Sequence, residues 1–278
     1  MPTNGGTMNN SRIITLLSDF GTIDPYVAMM KGVILSINPA AIPLDMSHNI
    51  RPGDISQAAR FLREAYPFFP EGSIHVAVVD PGVGGSRRPI ALEAHGHLFI
   101  GPDNGLFWPV INDCLDVKIV HLKEDRYFLQ KVTETFHGRD LFAPVAAHVS
   151  MGKRFDRMGE EIDNPVKLTP SMPHEKNGTL FGKIVWIDNF GNLITNISRK
   201  DMEHFLGSGQ PIIFAGDFEV EKFCGTYSEV GKGKILALIN SSDMLEISVN
   251  QGRADVYTGA DLQKAVDLDI RVIRGERD

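Results

Sequence analysis

The sequence predicts an α/β protein: an N-terminal α/β domain with a mainly parallel sheet, followed by a smaller C-terminal all-β, barrel-like domain. Three observations carry that expectation. Short apolar runs alternate with helical periodicity over the first half, the rhythm of β-α-β-α-β units. The texture breaks near Lys167, where KLTPSMPHEKNGTL mixes prolines, a glycine and charges without period, as linkers do. Beyond it the apolar segments are strand-length and separated by turn residues, as in small barrels or sandwiches. The expected boundaries are a disordered tail at 1–11, the α/β domain at 12–168, the linker at 169–179 and the β domain at 180–278.

Taken in order, Arg12 to Ser18 (RIITLLS) is a continuous apolar run of strand length, which suits a parallel strand covered on both faces. In DPYVAMMKGVILSINP, Asp24 is placed to cap a helix and Pro25 to be its first residue. Val27, Met30, Ile34 and Ile37 recur at helical spacing until Asn38-Pro39 stops it. A short strand is expected around Ala41 to Met46. GDISQAARFLREA reads as a second helix capped by Asp54, with Ile55, Ala58, Ala59, Leu62 and Ala65 as its buried stripe. Ile74 to Val79 is a further strand. Pro89 to Ala94 and His97 to Ile100 form a hairpin around Gly96, Asp103-Asn104-Gly105 is a turn, and Asp140 to Met151 is a helix. In the second half the expected strands are Leu180 to Ile187, Leu193 to Ile197, Pro211 to Val220, Lys234 to Ile239 and Met244 to Val249.

The bulk numbers exclude several classes. The chain has 278 residues, 42% of them hydrophobic, enough for one large or two ordinary cores. Its net charge of −7 and the lack of a basic stripe argue against nucleic acid as a partner. No apolar run approaches the ~20 residues of a membrane span, and MPTNGGTMNNSR has no apolar signal region. The two cysteines, Cys114 and Cys224, form no CxxC pair, so neither a disulfide framework nor a thiolate metal site is expected, and a cytoplasmic location is.

Candidate chemistry gathers at strand ends. Asp19 follows the first strand and Asp80 follows Ile74–Val79; in open α/β sheets ligands bind outside such carboxyl ends. Both aspartates also suit caps or turns. Gly82-Val83-Gly84-Gly85 lets backbone approach a ligand closely, but no Gly-Lys-Ser/Thr follows, so it is no phosphate loop. Arg87 and Arg88 lead into a strand, where neighbours point to opposite faces; one can face a site and the other solvent. His137 sits before a helix in ETFHGRDLFAP. No HExxH pair accompanies it, which argues against a histidine-built metal site. In the β half, WIDNFGNLITN carries Asp188, Asn192 and Asn196, and INSSDMLEISVN carries Asn240, Ser241, Ser242 and Glu246. These residues suit hairpin turns, and equally suit reading an amino acid or a purine edge; Glu246 either touches ligand or ends a hairpin.

Taken together, LLSDFGTIDPYVAMMKG, VVDPGVGGSRR, GPDNGL, TFHGRDLFAP, DNFGNLITN and NSSDMLEISVNQG resemble the S-adenosyl-L-methionine hydroxide adenosyltransferases, relatives of the fluorinase and chlorinase enzymes. The resemblance runs from about Ile13 to the C-terminus. It implies the same two-domain subunit, and a homotrimer with active sites between subunits. The implied reaction converts S-adenosyl-L-methionine and water to adenosine and L-methionine, with no cofactor and no metal. It implies Asp80, Arg87 and His137 as the catalytic set and Asp19 on the ribose hydroxyls. Asp24 and Tyr26 would lie near the methionine end. Asp188 would serve the methionine amino group, Phe190 adenine stacking and Asn192 an adenine edge. Ser241 and Ser242 would hold the methionine carboxylate, where halogenating relatives have Ser-Arg.

The halogenases place tyrosines where this chain has Asp80 and His137, and a tryptophan where it has Gly53. A carboxylate in a dry halide pocket would repel the halide and cost desolvation, so these departures point to water as nucleophile. Two other classes remain as alternatives. One is a metal-dependent phosphohydrolase using Asp19, Asp80, Asp103 and His137. The other is a non-catalytic adenosine or S-adenosylmethionine sensor.

Overall fold

A computed structural model describes residues 12–261 and 268–275; the expected tail at 1–11 lies outside them. The chain divides into two units, at Thr169/Pro170. Each is described by itself.

The N-terminal unit is built on a seven-stranded sheet. Its strands are β1 (Ile13–Ser18), β2 (Ile42–Ser47), β3 (Ile74–Val78), β4 (Pro89–Ala94), β5 (His97–Pro102), β6 (Lys118–Leu122) and β7 (Gly159–Ile162), in the order β2-β1-β3-β5-β4-β6-β7. The class is α/β as expected, and the sheet is mixed. β2, β1, β3 and β5 run parallel, while β5, β4, β6 and β7 pair antiparallel. The antiparallel half starts from the expected hairpin, where His95 (φ 51°) and Gly96 (φ 75°) both take positive φ, the two-residue geometry that matches strand twist. β6 and β7 extend it and were not expected.

β3 shows why the parallel half is mostly apolar. Ile74, Val76 and Val78 pack with Met30 and Ile34 of α1 (Tyr26–Ile37) on one face. Ala77 and Val79 pack with Ala58 and Leu62 of α2 (Ile55–Ala65) on the other. Side chains alternate across a strand, so a strand covered by helices on both faces is largely apolar; the buried His75 is bonded to Thr15 Oγ1 at 2.8 Å.

Asp54 caps α2 as expected, accepting from the Gln57 N–H at 2.9 Å. α1 differs: it starts at Tyr26, with Pro25 (φ −77°) as the capping residue and no side-chain bond from Asp24. The fixed φ of proline suits a helix start, and no side chain caps it. After α3 (Trp108–Asn112), the expected helix at Asp140 to Met151 begins instead as a π-helical turn, Gly138–Phe142, and continues as α4 (Ala143–Ser150). Pro144 has no N–H for the Asp140 carbonyl, and the Leu129 N–H bonds that carbonyl instead at 2.9 Å.

The direction of the connections matters most for function. The chain leaves β1 towards β2 on one side, and leaves β3 towards the β4–β5 half on the other. A crevice therefore opens past the carboxyl ends of these two strands. Ser18 pairs with Val78, so the segments carrying Asp19 and Asp80 emerge at one level.

The C-terminal unit is an eight-stranded antiparallel sheet. Its strands are β8 (His174–Lys176), β9 (Thr179–Ile187), β10 (Leu193–Ser198), β11 (Gln210–Ala215), β12 (Phe218–Glu219), β13 (Ile235–Ile239), β14 (Met244–Val249) and β15 (Asp269–Gly275). The path runs β12-β11-β15-β9-β10-β14-β13, with β8 on β9. The sheet curls until its edges meet: the chain after β12 bonds to β13 through Ala237 N–H to Lys222 O and Cys224 N–H to Ala237 O, each 2.9 Å. That contact covers otherwise open edges. Leu193, Ile197, Ile235, Ile247 and Val272 fill the interior.

Several elements depart from expectation. The segment Pro211 to Val220 is a β11–β12 hairpin turning at Gly216 (φ 59°), not one strand. β8 lies in the expected linker; Asn177 (φ 51°) and Gly178 (φ 71°) form its turn into β9. β15 and the helix α5 (Arg199–Leu206) were also not expected.

Candidate functional site

The crevice past β1 and β3 contains a cavity of about 310 Å³ whose lining includes Asp19, Phe20, Gly53, Asp80, Phe136 and His137. One Asp19 carboxylate oxygen accepts the Gly53 N–H at 2.8 Å, which ties the end of β1 to the loop before α2. Phe20, Tyr26 and Phe136 pack edge-to-face with centroids 5.3–6.0 Å apart. The cavity thus joins an apolar aromatic side to a charged one, which suits a ligand with both characters.

The charged side is a three-membered array. Arg87 Nε donates to both oxygens of Asp80, at 3.0 and 2.8 Å, and Arg87 Nη2 closes the pair on Oδ2. The side chains are only 5% (Asp80) and 10% (Arg87) exposed, so the charges compensate one another away from bulk water. Arg87 Nη2 also reaches His137 Nδ1, 2.6 Å away, and the guanidinium lies 5.5 Å from the Phe142 ring centroid. A guanidinium only donates. Nδ1 is therefore the acceptor, His137 is neutral, and its proton is on Nε2.

Electrostatics agrees with the neutral form. Burial first, and then the Arg87 charge, hold the His137 pKa below its ordinary value of 6.5. The sign follows. The neutral form exists in full above pH 6.5, and protonation as pH falls removes the acceptor for Arg87. The unfolded chain takes up that proton at the higher pH, so folded-state stability moves the same way. Turnover is expected to decline only below about pH 6.5, read as kcat/KM from pH 5 to 8. The acid limb should flatten in His137→Gln; a limb that persists there would belong to another group.

Local backbone explains how these residues meet. Gly84 has φ +74°, and a Cβ there would lie 2.4 Å from the Glu134 carbonyl oxygen. Only glycine lets the 82–86 loop lie against the segment that carries His137. That segment is fixed in turn by Asp140, which is fully buried. Asp140 accepts from the Thr133 N–H (2.8 Å), the Thr133 hydroxyl (2.6 Å) and Arg139 Nε (2.6 Å).

Arg88 points elsewhere, as alternation requires, but not freely into solvent. Its Nε donates to Asp103 at 2.8 Å and its Nη1 to Asn164 at 2.8 Å. The other Asp103 oxygen accepts the Val166 N–H at 2.8 Å. Asp103, a carboxylate of the metal-dependent alternative, is thus engaged with Arg88 and the chain at Val166. Among the described residues no group of three or more His, Cys, Asp or Glu side chains is arranged to hold a metal ion.

Asp24 is exposed, and Tyr26 joins the array only through its ring contacts with Phe20 and Phe136. Phe20 and Phe136 were not singled out from the sequence. The signal was there, since each lies next to a chosen residue, in SDFG and in TFHG.

In the C-terminal unit, Asp188 staples the β9–β10 turn. It accepts from the Phe190 N–H (2.9 Å), the Asn192 N–H (2.8 Å) and the Asn192 side-chain amide (2.9 Å). Gly191 takes φ 85°. The result projects the Phe190 ring, 73% exposed, from a rigid base. Ser241 and Ser242 are exposed in the β13–β14 turn, where Asn240 Oδ1 accepts the Ser242 and Met244 N–H groups. β10 and β14 run antiparallel, so the two turns sit at opposite ends of that ladder, about 17 Å apart at ~3.4 Å per residue. Glu246 lies between them, 3% exposed, taking bonds from Tyr227 Oη (2.9 Å) and Ser248 Oγ (2.7 Å). Burial and the Glu246 bond push the Tyr227 phenol up to about 12.

Similarity to known proteins agrees with this geometry. Residues 14–159 match the family described as the SAM hydroxide adenosyltransferase N-terminal domain, and residues 182–267 the corresponding C-terminal domain. The chain is 37% identical to the (R)-S-adenosyl-L-methionine hydrolase of Methanocaldococcus jannaschii, over 92% of this chain and 95% of that one. It is 31% identical to a fluorinase of an Actinoplanes species, over 73% and 76% of the two chains. A solved structure of a conserved protein from Thermotoga maritima superposes with a TM-score of 0.85 at 30% identity, covering 94% of this chain and all of that one.

Proposed function

Because the chain belongs to the SAM hydroxide adenosyltransferase family, we propose that it is a hydrolase that cleaves S-adenosyl-L-methionine to adenosine and L-methionine. Water oxygen bonds to the ribose C5′ as the C5′–S bond breaks. The bonding pair goes to sulfur, which leaves as a neutral thioether, and water gives up one proton. The relatives' name specifies the (R) configuration at sulfur, and the same epimer is the proposed substrate here. The observation that carries this reading is the Asp80–Arg87–His137 array, of which Asp80 and His137 line the cavity.

A neutral leaving group needs no general acid, so the difficulty lies with the nucleophile. Bulk water has a pKa of about 15.7 and an ordinary aspartate about 3.9. Complete deprotonation before attack is therefore steeply uphill. Asp80 instead orients the water and takes up proton charge as the bond forms. A carboxylate offers about four lone-pair sites, and Arg87 takes three contacts, which leaves room for a water. Arg87 and the neutral imidazole of His137 favour hydroxide character in that water. As the oxygen approaches the cationic sulfonium centre, charge is neutralised, and a water-poor crevice strengthens the attraction.

Asp19 would hold the ribose hydroxyls, with Asp24 and Tyr26 nearer the methionine end. Asp188, Phe190 and Asn192 would serve the methionine amino group and the adenine; Ser241 and Ser242, at the far end of the β10–β14 ladder, lie too far from Asp188 to clamp the carboxylate of the same methionine within one subunit and are not proposed for it. Glu246, buried beneath Tyr227 and Ser248, would support the ligand surface from behind. We further propose a homotrimer, in which neighbouring subunits complete one another's sites, and a cytoplasmic location. Among the described residues no helix is long and apolar enough to cross a membrane, and both cysteines are free. The reaction as written needs no cofactor.

The test is incubation with each sulfonium epimer in ¹⁸O-water, with and without a chelator, and mass analysis of the nucleoside. Adenosine carrying ¹⁸O at the 5′ position in both conditions is expected. Loss of activity with chelator would favour the metal-dependent alternative. Tight binding with no methionine released would favour a sensor.

A further inference from the structure

Behind the crevice runs a line of hydrogen bonds that no part of the proposed reaction uses. Ser18 Oγ lies 2.7 Å from His48 Nδ1, and His48 Nε2 lies 2.9 Å from Asp45 Oδ1. Lys31 Nζ donates to the other Asp45 oxygen at 2.6 Å. Ser18 and His48 are buried, 1% and 5% exposed, while Asp45 reaches solvent. The roles are assigned by chemistry. A carboxylate only accepts, so Nε2 carries the proton. Nδ1 shares the other bond with the Ser18 hydroxyl, and Ser18 Oγ accepts the Phe20 N–H at 3.3 Å.

The same histidine grips the crevice loop with its backbone, since its carbonyl accepts the Gly21 N–H at 2.8 Å. Asp19 lies between these two holds, and its carboxylate is bonded to Gly53 beyond the same β2 segment. A register shift aims His48 inward: Leu16 pairs with Asp45 but Leu17 with Ser47, so Met46 is the extra residue of a bulge, a common device for re-aiming a side chain.

We propose that His48 is a positioning residue for nucleoside binding: by bonding Ser18 and Asp45 and holding Gly21, it fixes the Asp19 carboxylate where a ribose diol would meet it. This rests on the reading of Asp19 as the ribose-binding residue. The ligand class concerned is a nucleoside with free vicinal hydroxyls. The line ends at exposed Asp45 and Lys31, so the anchor lies outside the cavity and makes no contact with ligand.

The test is calorimetric affinity for adenosine in the full-length protein, arranged as a double-mutant cycle. Asp19→Ala should weaken adenosine binding; unchanged affinity would overturn both the Asp19 reading and this inference. His48→Ala and Ser18→Ala should each weaken binding about tenfold, the scale of coupling in one hydrogen-bond network. His48→Asn, whose amide can stand in the place of Nδ1, should recover most of the loss. In the Asp19→Ala background, His48→Ala should add less than about twofold. Additive losses, or no rescue by asparagine, would show that His48 only supports the fold and would overturn the inference while leaving the Asp19 reading intact. If His48→Ala does not fold, the Ser18→Ala and Ser18→Ala/Asp19→Ala pair answers the same question.

Discussion

Asp80→Ala is expected to slow adenosine release by about 10²–10⁴-fold, the range of general-base assistance, while product adenosine still binds within a few-fold of the parent affinity. Asp80 is the only array member that can both orient a water and accept proton charge. Arg87 has no acceptor, and the Nδ1 acceptor of His137 is occupied by Arg87. Truncation also leaves Arg87 in a nearly closed site without its anion, so the alanine variant mixes loss of chemistry with loss of stability. Asp80→Asn separates the two effects. Its amide oxygen still accepts from Arg87, but it cannot take a proton as the C5′–O bond forms. Both variants should therefore be slow, with asparagine the more stable. Single-turnover formation of adenosine, set beside calorimetric adenosine affinity, decides the matter. An asparagine variant near the parent rate would remove Asp80 from water activation and return the burden to the sulfonium's own reactivity.

The parts of this site that were legible in the sequence are those governed by short-range rules. A buried strand followed by an aspartate announces a crevice residue, and both Asp19 and Asp80 are found there. Strand alternation separates Arg87 from Arg88, and their partners do differ. What alternation cannot say is who waits on the other face. The Arg88 partner, Asp103, is 15 residues away across the hairpin, and the sequence reading sent Arg88 to solvent. His48 was illegible for a similar reason, because its inward aim depends on the bulge in β2. The missed α5 is a different matter. Its capping box, Ser198 with Asp201, was visible as a Ser-x-x-Asp pattern. The Asn177-Gly178 pair that turns β8 into β9 was likewise a hairpin signal, absorbed into a stretch read as linker. The antiparallel half of the N-terminal sheet depends on which strand pairs with which over long separations, and local pattern carries little of that information.

Arg87→Ala and Arg88→Ala should fail in different ways, and the contrast tests the site more sharply than either variant alone. The two arginines are adjacent, equally charged, and each bonded to a carboxylate that is nearly closed off, Asp80 at 5% and Asp103 at 2% side-chain exposure. Breaking such a pair from one side leaves an uncompensated charge, which typically costs about 3–5 kcal/mol. Both variants should therefore melt well below the parent. Their rates should part. Without Arg88, Asp103 loses a structural partner outside the Asp80–Arg87–His137 array, and turnover per folded molecule should stay within a few-fold of the parent. Without Arg87, Asp80 is free to rotate, and His137 Nδ1 loses its donor. The water then has neither a fixed acceptor nor a cation to stabilise developing hydroxide, and the rate should drop by about 10²-fold or more. Arg87→Lys should not rescue it, because an ammonium cannot span Asp80 and His137 with the fixed fork that a guanidinium offers. Rates are to be read at a temperature where thermal melting shows all variants folded. Equal rate losses at the two positions would mean that charge in the loop, rather than the Asp80–Arg87–His137 geometry, is what the reaction requires.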